Sequence, residues 1–110
     1  MLKKSSLREK ALLILSESTH LDIGTAKAVL EEDIRPLVRL FSKSKLSLQI
    51  IANSSRTSRS VKSLKTIEQS NLIEELVDLL CKKDDWFVLK AVTCLGNFAC
   101  EYPELQNEIR

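Results

Sequence analysis

Glycine and proline are scarce in this chain, two of each in 110 residues, and aromatic side chains make up only 5%. A β-sandwich or barrel needs many turn residues with special backbone angles, so this poverty argues against one. Gly24 and Gly96 stand alone, which leaves no glycine-rich phosphate loop or dinucleotide fingerprint. Histidine occurs once, as His20, and the cysteines Cys81, Cys94 and Cys100 form an odd set with no CxxC pair. A disulfide framework or a zinc site needs more ligands at closer spacing. The thiols read as reduced residues packed as small hydrophobes. No stretch approaches the roughly 18 apolar residues of a membrane-crossing helix. Met1-Leu2-Lys3-Lys4 leads into Ser5-Ser6 rather than an apolar signal core. The expectation is an intracellular chain, cytoplasmic first and nuclear second, with no membrane partner, metal or cofactor.

What is present is a helical composition. Apolar residues are 44% and charged residues 29%, as in a soluble globular domain, and the length lies at the lower edge of what buries a self-sufficient core. Net charge is only +2, but the charge is segregated. Residues 34 to 67 hold eight cations (Arg35, Arg39, Lys43, Lys45, Arg56, Arg59, Lys62, Lys65) and no acid, whereas residues 68 to 110 hold nine acids against four bases. Opposite fields on one small chain steer partners more than they set a fold.

The apolar period is helical throughout. Ser6-Leu7-Arg8-Glu9 has the form of a capping box, predicting a helix over about 6–18. A short helix over 25–32 follows, started by Gly24 or Thr25. Asp33 caps a second, with Pro36 in its first turn and Leu37, Val38, Leu40 and Phe41 as its stripe. Asn71 caps a third, carrying Leu72, Ile73, Leu76, Val77, Leu79 and Leu80. Asp84-Asp85 opens the longest, whose core positions Ala91, Cys94, Leu95, Phe98 and Ala99 share one face. Tyr102-Pro103 ends it, and a further short helix is expected over 104–110.

The apolar positions of 34–41 recur in register at 73–80, and those of 10–16 recur at 90–96. Offsets near 40 and 80 residues indicate an α-solenoid of stacked helical units, none of which buries its apolar face alone. Residues 72–80, Asp84-Asp85, the run Ala91 to Ala99 and Tyr102-Pro103-Glu104-Leu105-Gln106 together resemble one armadillo repeat. The order is second helix, acidic turn, long third helix with Leu-x-Asn-Φ-Ala, and a Pro-Glu start to the next unit. Residues 24–56 resemble an abridged copy and 5–18 a preceding third helix. The resemblance implies one all-α domain over 1–110, a right-handed α-solenoid of about two and a half repeats, with 60–101 as the third repeat and 103–110 beginning another. Stacking faces are expected to lie open at both ends.

Armadillo proteins resemble one another in lining a concave groove with third helices whose asparagines pin an extended peptide. The resemblance places Lys90, Thr93 and Asn97 on that stripe, with Asn53 as the counterpart of Asn97. The importin-like pattern adds a tryptophan four residues before the asparagine. Here that position is Thr93 or Gln49, and Trp86 reads as a core or inter-repeat residue, so a nuclear-import receptor is disfavoured. The implied function is a non-catalytic scaffold for a peptide or partner helix.

Two alternatives stand beside it. The basic segment, with Arg56, Arg59, Lys62 and Lys65 as its patch, is suited to nucleic acid or acidic partners, though it lacks interleaved aromatics for stacking. The open repeat ends are suited to self-association. The hydroxyl-rich run 53–63 also resembles a basophilic kinase target, and as plain structure it reads as a solvated loop. An enzyme is not expected: His20 is far in sequence from every cysteine, and the paired acids fall at helix ends, where capping accounts for them.

Overall fold

The computed structural model describes residues 4–41, 44–58 and 60–105. Among them are seven α-helices and no strand: α1 (Lys4–Leu21), α2 (Ile23–Leu30), α3 (Arg35–Arg39), α4 (Lys45–Ser54), α5 (Val61–Gln69), α6 (Leu72–Leu79) and α7 (Asp85–Glu101), followed by a 3-10 turn, Pro103–Leu105.

Several helix ends differ from the sequence reading. The first helix is already running at Lys4, so Ser6 lies inside it and is not its cap. At 18 residues α1 is also longer than the 17 of α7. Asp22, rather than Gly24 or Thr25, starts α2. Its carboxylate accepts from the Gly24 amide and the Thr25 hydroxyl, both at 2.9 Å, which satisfies two donors at the first turn and holds the carboxyl below its ordinary pKa, the Thr25 bond contributing most. Asn71 makes no side-chain capping bond. It takes the left-handed conformation, φ 59°, which asparagine tolerates better than most residues and which turns the chain sharply from α5 into α6. Of the helix expected over 104–110, the structure shows the turn Pro103–Leu105; the rest lies outside the described residues.

Asp33, expected as the cap of α3, lies one residue before the N-cap, which is Ile34 and makes no side-chain capping bond. From there Asp33 accepts the Arg35 amide at 3.1 Å and grips the same residue's guanidinium through two 2.9 Å bonds. Asp84 accepts from the Trp86 amide at 2.9 Å, opening α7. Pro103 lacks the amide needed to continue that helix.

Packing follows a regular order. α1 lies on α4 and α4 on α7; α2 lies on α5, and α3 on α6. The three helices α2–α3–α4 thus meet α5–α6–α7 element by element. Core residues come from every helix between α2 and α7, with Leu30, Ile34, Phe41, Leu48, Leu76, Phe98 and Tyr102 almost fully buried. Burying one such leucine stabilises the fold by about 1.5–3 kcal/mol.

The described residues of 53–63 do not form a solvated loop throughout. Asn53 and Ser54 end α4, Ser60 and Ser63 form a capping box on α5, and Asn53, Ser54, Ser55, Thr57 and Ser63 are all buried. The hydroxyls of Ser55 and Thr57 bond back to carbonyls three residues earlier, at 2.7 and 2.8 Å. Small polar residues can therefore fill tight helix contacts without leaving most of their hydroxyls unsatisfied.

Candidate interaction surface

Two contacts fix the direction of α4 against α7. Lys45, at the start of α4, lies 5.2 Å from the Trp86 ring near the start of α7, and Ser55, at the end of α4, accepts a 3.0 Å bond from Asn97 near the end of α7. The two helices therefore run parallel. α1 and α4 also bring their C-terminal ends together: the Asn53 amide donates to the Ser16 carbonyl at 3.0 Å and to the Thr19 hydroxyl at 3.1 Å. α1, α4 and α7 make one layer in which α4 touches both of the others.

On α7 the residues Trp86, Lys90, Thr93 and Asn97 fall at offsets 0, 4, 7 and 11, which is one helical face, beside the buried stripe of Ala91, Cys94, Leu95 and Phe98. Thr93 is exposed, and its hydroxyl donates back to the Leu89 carbonyl at 2.9 Å, so only its lone pairs face outward. Asn97 is half-buried and spends one N–H on Ser55. Lys90 is half-buried, with its ammonium 5.7 Å from the Trp86 ring centroid.

Asn53 is not the equivalent of Asn97. It is 6% exposed, donates twice to α1, and accepts from the Gln49 amide at 2.8 Å. Its side chain joins two helices, and only its edge reaches the open hollow of about 470 Å³ that it lines with Ser16, Glu17, His20, Leu21 and Gln49.

The cations of the basic segment are dispersed. Arg56 donates through Nε to the Asn53 carbonyl at 3.1 Å and through Nη2 to the carbonyls of Thr19 and His20, each at 3.4 Å. It therefore caps the negative C-terminal ends of α4 and α1. Arg35 is held by Asp33 and in turn keeps that carboxyl down to about 2. Lys62 and Lys65 are exposed on α5. Arg59 and Lys43 lie outside the described residues.

Around Trp86 the structure gathers side chains that the sequence reading did not connect. The indole meets Phe87 edge to face, with centroids 5.3 Å apart. Lys45 approaches both rings, Lys82 lies 4.7 Å from the Phe87 centroid, and Lys90 adds a third ammonium. The i, i+4 spacing of Trp86 and Lys90 was a local signal for part of this group. Lys45 is 41 positions from Trp86 and nothing local announces it.

Apolar side chains also lie open on the outer helices of the layer: Leu13 and Ile14 on α1, Leu89 and Val92 on α7. Cys94 is buried, and that burial pushes its thiol up to about 12, partly offset by the Ser55 hydroxyl and the Lys90 charge. Among the described residues no three His, Cys, Asp or Glu side chains group to hold a metal, and no helix is long and apolar enough to cross a membrane. No protein-family model matches the chain, no curated protein matches it, and no solved structure matches it.

Proposed function

We propose that this chain is a non-catalytic protein-interaction scaffold, an armadillo-like right-handed α-solenoid of about two and a half repeats, whose layer α1–α4–α7 receives an extended peptide. One observation carries the reading: α2, α3 and α4 each lie beside their counterparts α5, α6 and α7, with α1 continuing the row of third helices. Stacking of like on like is how repeat units bury faces that none can bury alone. The layer's exposed edge also offers what an extended backbone needs. Asn97 keeps a carbonyl oxygen and one N–H beyond its bond to Ser55, and Thr93 offers acceptor lone pairs.

The test is selection of random peptides displayed on phage against the folded chain, followed by re-measurement on variants. Peptides that bind the layer should lose most of their affinity with Asn97→Ala and Thr93→Glu, while the melting temperature moves by only a few degrees. Selected peptides indifferent to both substitutions would place the binding surface elsewhere and refute the reading.

A further inference from the structure

We propose that Lys45, Lys82 and Lys90, gathered around the Trp86–Phe87 pair at the N-terminal ends of α4 and α7, form an anchor for the acidic stretch of an extended peptide. The proposal rests on the peptide-binding reading of the layer and names the chemistry of its ligand.

The three ammoniums come from separate places: the first residue of α4, the turn between α6 and α7, and the second turn of α7. Each is drawn to a ring face, Lys45 and Lys90 to Trp86 at 5.2 and 5.7 Å, Lys82 and Lys45 to Phe87 at 4.7 and 5.9 Å. The rings thus hold like charges together. Their compensation is incomplete: Asp84 lies 3.9 Å from Lys45, whereas Glu75 and Asp78, which line the same hollow as Lys82, form no ion pair within 4.0 Å with Lys82 or Lys90 among the described residues. Lys45 is 57% exposed at its side chain, so the cluster opens to solvent. Each ammonium has three donors and a ring can engage only part of them. Carboxylates from outside would relieve the mutual repulsion and take the remaining donors.

A peptide fits better than a nucleic acid. The indole is already approached by two ammoniums and by Phe87, which leaves little ring for a base to stack on. Further along the same face stands Asn97, whose Oδ1 no donor among the described residues reaches. The 11 residues from Trp86 to Asn97 span about 16 Å of helix, the reach of about five extended residues. An acidic cluster seated on the lysines would lie about five residues from the backbone amide that Asn97 accepts.

Trp86 is the chain's single tryptophan, so its emission reports on this site directly. The probes are a fluorescein-labelled ten-residue peptide of four glutamates followed by alternating serine and alanine, its four-glutamine analogue, and a ten-nucleotide oligothymidylate. The glutamate peptide should bind about tenfold tighter than the glutamine one and should shift Trp86 emission. Lys45→Gln and Lys90→Gln should each weaken it about threefold, with Lys45→Arg retaining affinity and circular dichroism unchanged throughout. Glutamate and glutamine peptides binding alike, both sensitive to Asn97→Ala, would overturn the acidic anchor and leave the peptide layer standing. Binding of neither peptide at millimolar concentration would also overturn the anchor, while the displayed-peptide selection decides the layer by itself. Tighter binding of the oligothymidylate, with the same lysine dependence, would assign the site to nucleic acid instead.

Discussion

Asn53 on α4 and Asn97 on α7 differ in burial and in partners, so replacing each by alanine should have very different consequences. Asn53 is buried and makes three side-chain bonds, two to α1 and one from Gln49. At about 1 kcal/mol net for each bond, Asn53→Ala loses up to ~3 kcal/mol. The groups left behind soften this: the Ser16 carbonyl still accepts from the Thr19 hydroxyl, and Gln49 is half-buried and can turn to water. The expected cost is therefore about 2–3 kcal/mol. For a domain of this size, at ~4 °C per kcal/mol, the melting temperature should fall by about 8–12 °C. Asn97 makes one bond, to a Ser55 hydroxyl that itself donates to the Ala52 carbonyl, so Asn97→Ala should cost about 0.5–1 kcal/mol. Thermal and urea unfolding followed at 222 nm measure both. A cycle with Thr19→Ala should show a coupling of about 1 kcal/mol with Asn53 and none with Asn97. Equal costs for the two asparagines, or no coupling to Thr19, would refute the joint between α1 and α4.

Three further outcomes follow from burial. Leu76→Ala and Leu95→Ala, at 0% and 5% exposure, should each cost about 2–5 kcal/mol in urea unfolding; a cost under about 0.5 kcal/mol would contradict the packing of α6 on α7. Gly96 lies inside α7 with nothing within 4 Å of the place a Cβ would take, so Gly96→Ala should stabilise the chain by roughly 0.5–1 kcal/mol. A thiol reagent at pH 8 should label Cys81 and Cys100, which are exposed, and spare Cys94 until urea is added. Because the folded Cys94 thiol ionises only near 12, against 9.0 ordinarily, the unfolded chain releases that proton first. Its contribution to stability is intact below pH 9 and is lost as pH rises toward 12, so Cys94→Ser should flatten the alkaline limb of a stability–pH curve.

The parts of this fold legible in the sequence are those written in apolar period and acid caps. α6 and α7 show a clean stripe, and Asp84 holds the first turn of α7 as its position suggests. α4 was the obscure helix. Its inner face mixes Leu48, Ile50, Ile51 and Ala52 with buried Ser47, Asn53 and Ser54, and a hydrophobic pattern scores such serines as surface. Their burial is tolerated because several hydroxyls return to nearby carbonyls, a local bond that residue type alone does not announce. The helix over 61–69 was missed for the same reason, its start being serine, valine, lysine and serine. Of the stripe expected on α7, Lys90, Thr93 and Asn97 do share one face. The role of Arg56 was hidden because a cation capping two helix ends reads, in one dimension, as one more charge in a basic run.

The seam between α1 and α4 has a mechanical side. Asn53 reaches Ser16 and Thr19, and Arg56 reaches Thr19 and His20, so this contact is held by directional bonds. An apolar seam can creep, since one methyl serves about as well as the next. Here a slip of one turn, about 5.4 Å, would strand the Asn53 donors and the Arg56 fork together. The helices behave like plates held by detents, with set positions and no glide between them. Selectivity for the length of whatever spans α1 to α7 can then arise from residues that never touch it.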